Sequence, residues 1–357
     1  MSFGKAVGII AFVISLYILW RIQQILLIAF AALVFATVIN RLVRFLERFV
    51  AKRGIAVFIS IIILIILLAG FIWIVVPPFV AQVQQLIDLT PLAIEQSRNW
   101  LDWLRSNIPE GMADNVPTTD TLITQIQPFV ARFFRNFFAF FTDLLTILGS
   151  ALLVLILTVM FLVNPQLYRR IFLQLFPSFY RRRAEGIMNQ SEVALVNWAI
   201  GVLINTAFIG TISAIGLWIL GVPLILANSF IAGFLEVIPN LGPTLSLIPP
   251  VLVALTDGVW KAVGVVILYL LIQQIENYLL VPFVMKKTVL LPPVVTLLSQ
   301  IVFAVFFGVL ALFLALPFVV VAEVWLQEVL VKDILDQWGA DKRNNRPEPI
   351  ALVAEEE

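Results

Sequence analysis

Residues Gly54–Val76 run for 23 positions without a charged side chain, and Leu144–Val163 for 20. A helix rises 1.5 Å per residue, so about 20 such residues cross a hydrocarbon layer roughly 30 Å thick. In lipid every backbone amide must be satisfied within the structure, which leaves helices and closed barrels as the spanning solutions. A barrel strand alternates apolar and polar positions, whereas these runs are unbroken. The chain is 61% hydrophobic and 13% charged, against about 45–50% and about 25% in a soluble domain. A soluble fold of this length could not cover that much apolar surface. The fold class read from the sequence is therefore all-α: a polytopic helical membrane protein. About eight hydrophobic segments are expected, some broken or re-entrant, with an outer amphipathic helical region.

Charge is distributed unevenly. Arg41, Arg44, Arg48, Lys52 and Arg53 face only Glu47, and Arg169, Arg170, Arg181, Arg182 and Arg183 face only Glu185 and Glu192. Between Pro77 and Ala131 the balance reverses: Asp88, Glu95, Asp102, Glu110, Asp114 and Asp120 outweigh Arg98 and Arg105. Loops rich in Lys and Arg stay cytoplasmic. So 41–53 and 164–192 are expected inside, 77–131 outside, and both termini in the cytoplasm. Flanked by spans, the arginines read as topology signals rather than as a nucleic-acid surface. The chain has no cysteine and no histidine. That removes disulfides, thiol chemistry and the commonest proton carrier and metal ligand, leaving Asp or Glu for any proton relay. No metal or cofactor is expected.

Along the chain, Ala6–Trp20 and Ile25–Ile39 read as two short spans or as a hairpin that does not fully cross, and no signal-peptide cleavage site follows them. Gly54–Val76 reads as a span that Pro77-Pro78 ends. An amphipathic helix over Val80, Val83 and Leu86 follows, then a second helix with Thr90 as N-cap and Pro91 in its first turn. A loop and a phenylalanine-rich helix after Pro128 lead back to the membrane. These readings divide the chain into N-terminal membrane segments (1–76), an extracytoplasmic amphipathic region (77–136) and a span (137–163). A cytoplasmic arginine-rich helical hairpin (164–198), a transport core with broken helices (199–323) and a cytoplasmic tail (324–357) complete it.

The core carries the informative interruptions. Val222–Leu255 would make one helix of about 51 Å, too long for one crossing and too short for two. Within it "LEVIPNLGP" places Glu236, Pro239, Asn240, Gly242 and Pro243 amid apolar residues. A break like this frees backbone groups, tolerated at membrane depth only inside protein or beside a wet cavity. We read a broken helix or re-entrant hairpin with its tip at "PNLGP"; paired breaks of this kind mark the site in many secondary transporters. If the hairpin starts from the outer face, Val259–Val284 descends and Lys286-Lys287 lie inside; a single crossing would put them outside. Downstream, Gln273, Glu276 and Asn277 have i, i+3, i+4 spacing and share a helix face, and Pro282 interrupts again. A carboxylate in hydrocarbon costs about 2.5–3.5 kcal/mol on insertion scales, so the two glutamates point to a polar path. The alternative is a protonated glutamate bonding a neighbouring helix. Asn205, Asn228 and Ser229 read as packing groups. Val294–Val321 reads as a third apolar stretch.

Two segments, "FLEVIPNLGPTLSLIPPVLVAL" and "QQIENYLLVPFVMKKTVLLPPVVTLLS", resemble the signature regions of the AI-2E (autoinducer-2 exporter) family of transporters. The order of elements over roughly residues 5–335 is similar too. The resemblance implies a multi-pass protein of the bacterial plasma (inner) membrane that forms a homo-oligomer and exports small polar solutes. Some relatives exchange Na⁺ or Li⁺ for protons. No G-x-x-x-x-G-K-[ST] motif occurs, so an ion or solute gradient is the expected driver. The reading is a secondary transporter, not an enzyme, with Glu276, Gln273, Asn277, Glu236 and Asn240 contacting solute, H⁺ or Na⁺. Pro239, Gly242, Pro243 and Pro282 shape the broken backbone. A Na⁺(Li⁺)/H⁺ antiporter is the nearest alternative, and a membrane scaffold the alternative of another class.

Overall fold

The computed structural model describes residues 20–50, 52–107, 148–239, 241–280, 292–308 and 311–335, with Ile14, Tyr17, Ile18, Pro128, Arg132, Arg135 and Pro282. Most of Ala6–Trp20, the outer loop and aromatic helix, Asn240, Lys286-Lys287 and the polar tail lie outside the described residues. The described elements are helical: α1 (Gln23–Leu46), α2 (Arg53–Asn107), α3 (Leu148–Val163), α4 (Pro165–Gln174), α5 (Arg181–Ile219), α6 (Ile225–Leu235), α7 (Leu241–Ser246), α8 (Ile248–Asp257), α9 (Val259–Ile275), α10 (Pro293–Phe307) and α11 (Leu312–Trp325). Wider π-helical turns extend α9 over Glu276–Leu280 and α11 over Leu326–Leu335. Among the described residues, 5 helices are long and apolar enough to cross a membrane, or 6 if the bent pair α3–α4 counts as one. Large apolar side chains such as Ile66, Leu67 and Ile74 are exposed to the lipid side, as a multi-pass protein requires.

Several sequence expectations change. Pro77-Pro78 do not end the helix, and Pro91 does not start one: all three lie inside the 55-residue α2. Each proline removes an amide donor, freeing the carbonyl four residues earlier, including those of Trp73 and Ile74. Tertiary packing overrides this local penalty. Phe79 and Val83 are buried against Ala227, Ile231 and Leu235 of α6, and Phe79 meets Phe230 edge-on at 4.8 Å. At 1.5 Å per residue α2 is about 82 Å long, so it projects well past any bilayer. Ile25–Ile39 belongs to the 24-residue α1, which is long enough to cross. The longer helix includes Asn40 because the Arg53 guanidinium donates to its Oδ1 at 2.8 Å. The arginine-bearing hairpin is present as α4 and the start of α5, but α5 continues through 39 residues as one helix. Val294–Val321 is two helices, broken at Gly308, whose φ of 86° favours glycine.

A network of charged groups gathers at one end. Arg44 pairs with Glu192 at 2.7 Å, and Arg53 donates to Glu47 at 2.8 Å and to the Leu162 carbonyl at 2.9 Å. Arg183 bonds Glu328 at 2.6 Å and Asp333 at 3.2 Å; Tyr180 donates to Asp333 at 2.7 Å, and Lys332 pairs with Glu328. Lys261 defines the opposite end, donating to the Gly221 carbonyl at 2.9 Å and to Asp257 at 2.7 Å. The exposed indoles of Trp218 and Trp260 flank it, as expected at an interface.

Lys261 also resolves the path of Val222–Leu255. It ties the residue before that segment to the residue shortly after it, so the chain enters and leaves at the same end. The segment is a re-entrant hairpin. Its first leg, α6, crosses α5 closely: a Cβ on Gly233 would sit 2.7 Å from the Thr206 carbonyl and 3.2 Å from Gly210 Cα. Small residues permit such helix contacts in lipid. The return leg, α7–α8, packs on α2 and α9. A second hairpin, α10–α11, turns at Gly308, and Phe303 packs on Phe318 at 5.3 Å. Phe234 of the first hairpin meets Phe313 of the second at 5.9 Å.

Candidate functional site

The site forms where the tip of the first hairpin meets α5 and α9. α6 stops at Leu235, and the chain turns through Glu236–Pro239 because Pro239 and Pro243 supply no amide donor. Gly242 makes the turn possible. Its N–H donates to the Ile238 carbonyl at 2.9 Å, and a Cβ there would lie 2.2 Å from the Leu235 carbonyl oxygen. On α9 the α-helical pattern gives way to a π turn at Glu276. A wider turn changes the angular spacing of side chains, and such insertions occur often at functional sites.

Asn205 of α5 joins the two carboxyl groups. Its Nδ2 donates to Glu276 Oε1 at 2.9 Å and reaches Glu236 Oε1 at 3.4 Å. Glu236 is 5% exposed and Glu276 8%, and both carboxyl groups meet the same amide nitrogen. Asn205 lies about 20 Å along α5 from Glu192 at the arginine-rich end and about 21 Å from Ile219 at the other. The cluster therefore lies well inside α5, about 36 Å from its start at Arg181. Beside it is a cavity of about 230 Å³ lined by Glu236, Glu276, Gln273, Tyr269, Ser213 and Ser246 among others. By liquid volume this is room for about seven waters. Asn205 Oδ1, Ser213 Oγ and Tyr269 Oη have no hydrogen-bond partner among the described residues; Tyr269 interacts with Ser213 without reaching hydrogen-bond geometry. A larger depression of about 510 Å³, next to Gln82 and Leu224, is more open and has no charged residue in its lining.

The structure thus brings together Glu236, Gln273, Glu276, Gly242 and Pro243. Asn277 does not join them: the π turn that buries Glu276 leaves Asn277 exposed. Pro282 is exposed and distinct from the cavity lining, and Asn240 lies outside the described residues. Asn205, read from sequence as packing, bridges the carboxyl pair instead. Tyr269, Ser213 and Ser246 were not singled out. Tyr269 had a usable signal, since it precedes Gln273 by four residues and Glu276 by seven on the same helical face.

Chemically, the lining is rich in oxygen and contains no Lys or Arg. The C-terminal end of α6 adds a partial negative charge beside Glu236. Two like charges repel strongly in low dielectric. Such a lining favours a proton, a small cation or a solute carrying hydroxyl donors, and disfavours anions.

The family model described as AI-2E family transporter matches residues 9–331. YrrI of Bacillus subtilis (strain 168), named as a candidate transport protein, is 25% identical over 309 residues, covering 83% of this chain and 85% of that protein. YueF of the same organism, named likewise, is 25% identical over 324 residues, covering 87% and 85%. The AI-2 transport protein TqsA of Escherichia coli (strain K12) is 29% identical over 197 residues, covering 52% of this chain and 55% of TqsA.

Proposed function

This chain belongs to the AI-2E transporter family, and from that premise we propose that it is a secondary transporter exporting a small polar solute across a bacterial-type plasma membrane. The Asn205–Glu236–Glu276 cluster holds the coupling proton, and the adjoining cavity receives the solute. One observation carries this reading: a partly buried amide, well inside a helix long enough to span the membrane, within reach of two carboxyl groups. Positive-inside bias supports placing the Arg44–Glu192 and Arg183–Glu328 end in the cytoplasm. The re-entrant hairpin then descends from the outer face, and its tip forms one wall of the site. An uncharged solute bearing hydroxyls, of the autoinducer-2 kind named for TqsA, suits the Ser213, Tyr269 and Gln273 lining.

The test uses proteoliposomes with an imposed pH gradient and the purified full chain. Glu276→Gln keeps the shape and hydrogen bonds but cannot cycle a proton, so solute flux should no longer respond to the gradient. Gradient-dependent flux at the wild-type rate in a folded Glu276→Gln variant removes the assignment. The two carboxyl groups and the hydroxyls of the lining also favour a second reading, exchange of Na⁺ or Li⁺ for protons. A Na⁺ gradient that moves protons with no solute present distinguishes that case.

A further inference from the structure

The elbow between α3 and α5 carries a surface that the transport reading does not use. α3 and α4 meet at 88°. If α3 crosses the bilayer, α4 lies along its surface, at the arginine-rich end. Leu167 and Ile171 on α4 and Leu175 just past its end recur every four residues and are all exposed, Leu175 at 76%. Phe179, in the turn before α5, is 85% exposed. These side chains point away from the protein, so the apolar stripe lies at the level where headgroups meet acyl chains. An amphipathic helix in the interfacial plane has this pattern.

The arginines of the elbow divide into two sets. Arg169 is taken up by Glu185 and Asn189, and Arg183 by Glu328 and Asp333. Arg170 and Arg182 make no hydrogen bond or ion pair among the described residues, and Arg181 uses only its Nε, toward the Phe176 carbonyl. All three are exposed. A guanidinium presents paired donors that match a phosphate, and unsatisfied guanidiniums next to an apolar stripe match a phosphate attached to acyl chains. A soluble anion would leave the stripe uncovered. Basic groups close to an anionic leaflet are drawn to it.

We propose that the α4–α5 elbow is a binding site for anionic phospholipid, with Arg170, Arg181 and Arg182 on the headgroup phosphate and Leu167, Ile171, Leu175 and Phe179 among the acyl chains. The site is built onto the end of α11: Trp325 stacks on Phe176 at 5.7 Å, and Arg183 holds Glu328. A lipid seated there packs against the anchored leg of the second hairpin.

Native mass spectrometry of the full-length protein, released from nanodiscs of equal phosphatidylglycerol and phosphatidylcholine, tests this. Wild type should retain phosphatidylglycerol at least threefold over phosphatidylcholine. The triple variant R170Q/R181Q/R182Q should lose that preference, and R170K/R181K/R182K should keep most of it. Adding millimolar inorganic phosphate should displace nothing. Equal retention of the two lipids by wild type overturns the site, whether or not the glutamine variant folds. A preference unchanged in a folded glutamine variant moves the site elsewhere, and displacement by phosphate makes it an anion site without a lipid role. Either result also overturns the proposal.

Discussion

Gly242→Ala is the smallest change that should disable the hairpin tip. The added methyl would lie 2.2 Å from the Leu235 carbonyl oxygen, 2.6 Å from its carbon and 3.0 Å from the Glu236 amide nitrogen. All three are backbone atoms, so no side chain can rotate away. Restoring ordinary contact requires about 1 Å of backbone displacement between the end of α6 and the start of α7. Overpacking of this kind costs about 1–3 kcal/mol where side chains can adjust; against backbone the upper end applies. Glu236 directly follows Leu235, so the displacement separates it from Asn205, which it meets at only 3.4 Å. A misplacement of about 1 Å can cost roughly 100-fold in a positioned site. The assay is solute flux in proteoliposomes beside the thermal unfolding midpoint in detergent. Gly186→Ala is the control, since a Cβ there meets nothing within 4 Å. It should be neutral or stabilise the helix by about 0.5–1 kcal/mol. Wild-type flux and stability in Gly242→Ala would refute the close turn and its role in placing Glu236.

Other outcomes follow from the same geometry. Gly233→Val puts carbon 2.7 Å from the Thr206 carbonyl and should pry α6 from α5, lowering the unfolding midpoint and the flux together. Asn205→Leu removes the one donor that reaches both carboxyl groups among the described residues and should cut flux at least tenfold, measured in the same vesicles, while Asn228→Leu should not. Arg53→Met strips Asn40, Glu47 and the Leu162 carbonyl of their donor. It should destabilise by about 1–3 kcal/mol, toward the low end because the ion pair is partly exposed, read as a lower midpoint without loss of specific flux.

Much of this architecture was legible in the sequence because lipid permits few solutions. Charge-free runs marked α2, and a proline- and glycine-rich interruption marked the hairpin tip at Glu236–Pro243. The pairing of Glu276 with Gln273 followed from helical spacing. What escaped was whatever depended on a distant partner. Pro77, Pro78 and Pro91 look like terminators until Phe79 and Val83 are seen packed on α6. Asn40 looks like a boundary until Arg53 satisfies it. Asn205 is one amide in an apolar run, and only the folding of α6 and α9 against α5 gives it two carboxyl neighbours. Asn277 misleads for the opposite reason: regular spacing put it beside Glu276, and the π turn moved it outward.

The central claim is that the carboxyl pair borders a water-accessible passage. Because the chain has no cysteine, one introduced thiol reports on its own position, and thiol reagents react with the thiolate, which needs water. Ser213→Cys and Gln273→Cys should be modified in intact membranes by a small, water-soluble, membrane-impermeant reagent. Ile267→Cys, on the lipid-exposed side of the same α9, should stay unmodified. Labelling at Ser213 and Gln273 but not at Ile267 is the result the account predicts. No labelling at either cavity position in a transport-active protein would contradict it.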